Sequence, residues 1–367
     1  MATSLQKMAE LGQSPWIDFI SREFVRGGDM QGLVEDGVHG VTSNPTIFQS
    51  AIAHGHAYDD QLRGLLAEVE DPKEVFLALA REDIRDACDL LRGVFDSGDS
   101  TRDGWVSLEV DPNLANDANA TSAEARRLHE LIDRPNLLVK IPGTTTGLEA
   151  IEETIAVGIP VNVTLLFSLA RHRDAAEAYI RGLRRLRARG GDLSTVASVA
   201  SFFVSRVDTE ADRRLEQIGG HDELKGTLAI ANAKLAYQTS KQVFSGSDWE
   251  ELESAGASSQ RCLWASTSTK NPEYRDVLYV EELIGPGTVN TMPRETIDAF
   301  QEHGCVAPTL EHGVDDARRT LDQFAGAGID YDDVVAVLER EGVQKFADSF
   351  KQLLDGVAGK RDELVAA

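Results

Sequence analysis

The chain has 367 residues, 42% of them hydrophobic and 27% charged, which is enough to bury a large core, and no low-complexity tract marks it as disordered. Its 37 Lys and Arg stand against 61 Asp and Glu, a net charge of −24. Binding to nucleic acid rests on cations that displace counterions from phosphates, so this balance argues against a polyanion partner.

Read from the N-terminus, Met1 to Asp18 holds one Lys and no apolar core of a secretory signal. A short β-type run, Trp16 to Phe19, is followed by a second, Gly37 to Thr42. His54 and His56, with Asp59 and Asp60 behind them, lack the spacing of a metal site and read as a surface loop. Asp71 to Phe95 has helical composition, Trp105 to Val110 is β-type, Ser122 to Ile132 helical, and Leu137 to Ile141 β-type again. Gly143 to Gly147 resembles a phosphate-cradling loop, but Leu148 stands where such a loop carries Lys, so a tight strand-to-helix turn suffices. The uncharged stretch Thr154 to Ala170 approaches membrane-spanning length, yet Gly158, Pro160, Asn162 and Thr164 divide it into loop, strand and helix start, with Ile159 to Val163 as the strand. Ser168 to Arg187 is helical and contains most of the densest basic run, Arg181 to Arg189. Val196 to Val199 is the sixth β-type run, Gly219 and Gly220 mark a turn between helices, and Asp222 to Val243 is helical. Arg261 to Ala265 and Gly287 to Thr291 bring the β-type runs to eight.

Alternating strand and helix implies a parallel sheet with helices outside, and eight strands is the barrel number. An open doubly wound sheet often carries a GxGxxG fingerprint, which is absent, as is the GxSxG of a hydrolase nucleophile elbow. The expectation is one (β/α)8 barrel domain over 1–367 with extra helices. Those from about residue 314 onward are Val314 to Phe324, Tyr331 to Glu341 and Val343 to Leu354, with Gly326 and Gly342 as C-caps. Three cysteines without a CxxC pair fit a reducing, cytoplasmic setting.

Several strand ends carry polar side chains two residues apart, hence on one face: Thr42 and Asn44, Ser107 and Glu109, Asn162 and Thr164. Barrel enzymes place reacting groups at that end. Lys140 closes the aliphatic run Leu137-Leu138-Val139 and has two readings. Its stem reaches solvent, or its amine is held in a poorly polar interior, where a neutral amine attacks carbonyls to form an imine. Asp18 and Glu109 then supply proton transfer, against the plainer reading of each as a solvent-facing acid or helix cap.

The chain resembles the transaldolases, specifically the longer bacterial subgroup. Five stretches carry the resemblance, in family order: Gly40-Val41-Thr42-Ser43-Asn44-Pro45-Thr46-Ile47-Phe48, Ser107-Leu108-Glu109-Val110-Asp111-Pro112, Leu138-Val139-Lys140-Ile141-Pro142-Gly143-Thr144, Asn162-Val163-Thr164-Leu165-Leu166-Phe167-Ser168 and Ser201-Phe202-Phe203-Val204-Ser205-Arg206-Val207-Asp208. The resemblance implies an aldolase-type barrel and transfer of a dihydroxyacetone unit between sugar phosphates in the nonoxidative pentose phosphate pathway, without metal or other cofactor; the charge balance and the interrupted apolar stretch separately argue against nucleic-acid and membrane partners. By it, sedoheptulose 7-phosphate and glyceraldehyde 3-phosphate give erythrose 4-phosphate and fructose 6-phosphate. Lys140 is then the Schiff-base lysine, Asp18 the proton carrier for C–C cleavage, and Glu109 with Thr164 the pair that handles water. Asn44, Asn162 and Ser201 bind the three-carbon unit, while Arg206 holds the phosphate. Phe203 and Glu109 favour transfer over release, since fructose-6-phosphate aldolase-like lyases carry Tyr and Gln there. That lyase activity is the nearest alternative, and a non-catalytic binding barrel the next. Many relatives carry an Arg two residues beyond the serine matching Ser266; here Ser268 stands there, and Lys270 is the candidate replacement. The segment after Asp208 and the C-terminal helices exceed those of shorter members.

Overall fold

Strand runs such as Leu137–Pro142 and Val161–Leu166 are buried along their whole length, as parallel strands covered on both faces require. In the computed structural model, which describes residues 2–54, 56–65, 69–97 and 103–366, these runs close into a barrel. The strands are β1 (Gln13–Ile17), β2 (Gly40–Val41), β3 (Trp105–Glu109), β4 (Leu137–Pro142), β5 (Val161–Leu166), β6 (Ser198–Phe203), β7 (Arg261–Ala265) and β8 (Thr288–Met292). Each pairs in parallel with the next, and β1 closes on β8 from Gln13 opposite Thr288 to Ile17 opposite Met292. The expected (β/α)8 barrel with extra helices is the fold found.

Side-chain caps start the helices that follow β3, β4 and β5. Asp117 accepts from the Ala120 N–H ahead of helix Ala118–Ile132, and Ser168 does the same for Arg171 at the start of Leu169–Ala188. The glycine-flanked turn after β4 is such a cap too: Thr144 Oγ1 accepts from the Gly147 N–H at 2.9 Å. The stretch Thr154 to Ala170 divides between the end of helix Thr145–Ile155, β5 and the start of Leu169–Ala188. Among the described residues no helix is long and apolar enough to cross a membrane.

Several expectations change. Gly326 does not cap its helix but is the last residue of Val314–Gly326, with Ala327 at the cap and the left-handed turn at Gly328. The stretch expected as one helix over Asp222 to Val243 is a 3-10 turn, Asp222–Leu224, followed by helix Leu228–Val243. The sixth strand runs on to Phe203, because Ser201, Phe202 and Phe203 pair with Leu263, Trp264 and Ala265 of β7. The last two expected helices are one, Tyr331–Ala366, and Gly342 lies inside it instead of capping it. A Cβ at Gly342 would stand 3.1 Å from Leu165 Cδ2 and 3.4 Å from the Phe167 ring, so glycine there seats this helix on the end of β5. Tyr331 fixes its start, donating to Asn232 Oδ1 at 2.7 Å and accepting from the Leu169 N–H at 3.1 Å. Phe346 and Phe350, one turn apart, face inward.

At the N-terminal ends of the strands the barrel is plugged by a polar cluster. Buried Asp103 accepts from Trp16 Nε1 at 3.0 Å and from Ser14 Oγ, and pairs with Arg261 at 3.3 Å and His39 at 3.4 Å. Arg261 also donates to the Thr288 carbonyl at 2.6 Å.

Candidate active site

The opposite end is open. Register places Glu109 beside Lys140 and Lys140 beside Asn162 on neighbouring strands, so three polar residues distant in sequence share one inner face. Above them is a cavity of about 300 Å³ lined by Asp18, Thr42, Asn44, Lys140, Thr164, Ser201, Phe203, Arg206, Ser266, Lys270 and Phe346, among others. Most of the sequence-derived candidates therefore meet in one place. Glu109 and Asn162 stand just behind its wall.

Lys140 is 5% exposed, so its stem does not carry the amine to solvent. Nζ donates to the Ser43 carbonyl at 3.1 Å, lies 3.6 Å from Glu109 Oε2, and faces the Phe346 ring at 5.6 Å. Neither Glu109 oxygen has a hydrogen-bond partner among the described residues, nor does the Thr164 hydroxyl. Burial pushes the Glu109 carboxyl up to about 7, against the opposing pull of Lys140 and with added push from Asp18. Burial also raises Asp18, while Lys140, the Thr42 hydroxyl at 2.7 Å and Arg206 pull it back. An amine thus sits among carboxyls whose proton affinities are drawn toward neutrality, which suits them to take and return protons.

Asn162 donates to Ser107 Oγ at 3.0 Å and accepts from Ser201 Oγ at 2.7 Å, so its amide orders Ser201 at the cavity wall. Asn44 follows β2, and its Oδ1 accepts from the Ile47 N–H at 3.1 Å, starting helix Pro45–His54. Thr164 precedes Leu165, whose φ of 61° and a register shift in β5 interrupt the ladder beside the site. Ser266, just past β7, has φ 56°. Both are strained positions for residues with a Cβ; Ser266 lines the cavity, and Leu165 directly follows Thr164, which does.

The cavity lining carries two further cations, Arg206 and Lys270. The Arg206 guanidinium lies 4.9 Å over the Phe203 ring; burial lowers its proton affinity and Asp18 opposes that. Exposed Lys270 donates to Ser268 Oγ at 2.7 Å, and both line the cavity.

Sequence reading missed Phe346, Thr291 and Glu295 on the lining. Thr291 is next to last in β8 and shares a 2.7 Å hydrogen bond with Thr42, but with Val289 and Pro293 two residues to either side it shows no polar pair at the strand end. Phe346 gives no local signal, for it is an apolar residue in an amphipathic helix. His56 is exposed and pairs with Asp59 at 2.9 Å; the His54 side chain lies outside the described residues.

The family model described as Transaldolase/Fructose-6-phosphate aldolase matches residues 15–357. The chain is 51% identical to a transaldolase of Parafrankia sp. (strain EAN1pec) over 371 residues, covering 100% of each. It is 50% identical to a transaldolase of Thermobifida fusca (strain YX), with 98% of each covered, and 48% identical to transaldolase 1 of Streptomyces coelicolor, covering 98% of this chain and 96% of that one.

Proposed function

The chain belongs to the transaldolase/fructose-6-phosphate aldolase family, and from that premise we infer that it is a transaldolase whose imine forms on Lys140. The observation that carries this reading is the buried amine of Lys140, 3.6 Å from a carboxyl poised near 7. Lys140 Nζ attacks the ketose carbonyl, and loss of water gives the imine; Glu109 and the free Thr164 hydroxyl serve that water. Asp18 takes the proton of the hydroxyl on the carbon beyond the breaking C–C bond, the aldose leaves, and the electron pair stays on the imine-bound three-carbon unit. An incoming aldose phosphate is attacked by that unit, Asp18 returns the proton, and water releases the product. Asn44 and Ser201 hold the three-carbon unit, with Asn162 fixing Ser201 from behind. Arg206, Ser266 and Lys270 take the phosphate at the far end, which reconciles an acidic chain with an anionic substrate.

Sedoheptulose 7-phosphate and fructose 6-phosphate are the donors of this reading. The apolar Phe203 ring, packed at a tilt against Phe167 with centroids 5.2 Å apart, supports retention of the three-carbon unit over its protonation and release. A cytoplasmic setting is supported by the unpaired cysteines Cys88, Cys262 and Cys305. The test is product analysis with fructose 6-phosphate, with and without erythrose 4-phosphate. Sedoheptulose 7-phosphate that forms when the acceptor is present supports transfer. Free dihydroxyacetone released equally fast without it assigns a lyase, and no turnover in either arm leaves a binding barrel.

A further inference from the structure

Helix Ser205–Ile218 follows β6 and carries Arg206, but a neighbouring face of it does something the reaction does not use. Ser205, Asp208 and Asp212 stand at i, i+3 and i+7, hence on one face. Each touches the segment that follows β7. The Ser205 N–H donates to the Ser266 carbonyl at 3.0 Å, and the two hydroxyls lie 2.9 Å apart. Asp208 Oδ2 accepts from the Tyr279 hydroxyl at 2.8 Å, and Asp212 Oδ2 from the Tyr274 hydroxyl at 2.6 Å.

The second oxygen of each carboxyl is spent on backbone. Asp208 Oδ1 accepts from the Ala229 N–H at 2.7 Å and Asp212 Oδ1 from the Gly226 N–H at 3.0 Å, at the start of helix Leu228–Val243. Neither carboxyl can swing away without losing an N–H partner in a buried place. Gly226 makes room for the arrangement: a Cβ there would come within 2.8 Å of the Tyr274 ring. Between the anchors at Ser266 and at Tyr274 hang Ser268 and Lys270, the cavity-lining part of the segment.

We propose that Asp208 and Asp212, acting through Tyr279 and Tyr274, are positioning residues that strap the segment after β7 to the helix bearing Arg206, setting the spacing at which Arg206 and Lys270 close on one phosphate. The proposal rests on the reading of those two cations as the phosphate site. Removing a strap loosens the segment without touching Lys140, Glu109 or Asp18, so binding of the phosphorylated end suffers and the chemistry does not.

Tyr274→Phe removes one hydroxyl from a partly exposed ring, and Tyr279→Phe gives a second, buried probe; both are compared with the unaltered enzyme on fructose 6-phosphate and on fructose. The expected result is KM for fructose 6-phosphate raised about 2- to 10-fold, the range of one net hydrogen bond, with kcat and the turnover of fructose unchanged. Equal losses on both substrates, or no change on either, overturn the strap. Arg206→Ala on the same pair separates the two claims. If it weakens both substrates equally, the phosphate reading fails and the strap with it. If it is selective for the phosphorylated ketose while Tyr274→Phe and Tyr279→Phe are not, only the strap fails.

Discussion

Asp103 at the floor of the barrel and Glu109 at its mouth are buried alike, at 8% and 9% exposure, yet burial leaves them in opposite states. At the floor, burial pushes the Asp103 carboxyl up, but Arg261, His39 and Ser14 more than offset it and hold the group below its ordinary value. At the mouth, Glu109 has Lys140 at 3.6 Å and no hydrogen bond to either oxygen, so burial wins and lifts it to about 7. The number of donors, more than depth, decides whether a buried carboxyl is structural or reactive. The floor uses its polar groups to close the barrel. The mouth leaves polar groups underpaired, at a cost in stability, and keeps their proton chemistry available.

The widest separation of the two ends comes from Lys140→Met. Loss of the buried amine proposed to form the imine is expected to lower transfer by about 10⁴-fold or more while the protein still folds. Steady-state rates read beside thermal melts check this, and a variant that loses activity only because it unfolds breaks the comparison. Its counterpart is Asp103→Ala, which removes the carboxylate paired with the nearly buried Arg261. A loss of about 3–5 kcal/mol is expected, with kcat of the folded fraction unchanged. Denaturant titration measures it.

Glu109→Gln comes next, with a rate loss of about 10²-fold from removal of a proton-transfer group. It also changes the slope of stability against pH. Glu109 has a folded value raised from 4.5 to about 7, so its share of stability is fully present below about 4.5 and is lost as pH rises through about 7. Asp103, lowered from 3.8, contributes stability above that value and loses it as pH falls through the folded one. Unfolding curves at pH 5 and pH 8 are therefore expected to show Glu109→Gln gaining on the parent at pH 8. A constant difference across that range counts against an unsatisfied Glu109.

The smallest expected effect is Phe203→Tyr. A hydroxyl beside the three-carbon unit brings in a proton donor, so free dihydroxyacetone rises a few-fold relative to transfer, roughly the worth of one hydrogen bond. An unchanged product ratio removes Phe203 as the partition point.

Much of the mouth was legible in sequence because a strand alternates faces. Polar residues two apart at a strand end, such as Ser107 with Glu109, have to share the inner face, and the register of parallel strands does the rest. Lys140 remained ambiguous until its burial was known, since an aliphatic run ending in Lys describes a snorkelling stem equally well. The floor was not legible: Asp103 and Arg261 lie 158 residues apart and meet only because the barrel closes. Phe346 was hidden for a similar reason, since amphipathic spacing says that a face is buried but not what it is buried against. Gly342 misled because glycine after a helical run has two uses, a cap or a close approach, and the second depends on Leu165 and Phe167 far away in the chain.

The measurement that bears most directly on the central claim is borohydride reduction in the presence of fructose 6-phosphate, followed by peptide mass spectrometry. Hydride converts only a protein-bound iminium into a stable secondary amine, so a three-carbon adduct is expected on Lys140, with irreversible loss of activity. An adduct on a different lysine, or no adduct together with activity abolished by EDTA and restored by a divalent metal, contradicts it.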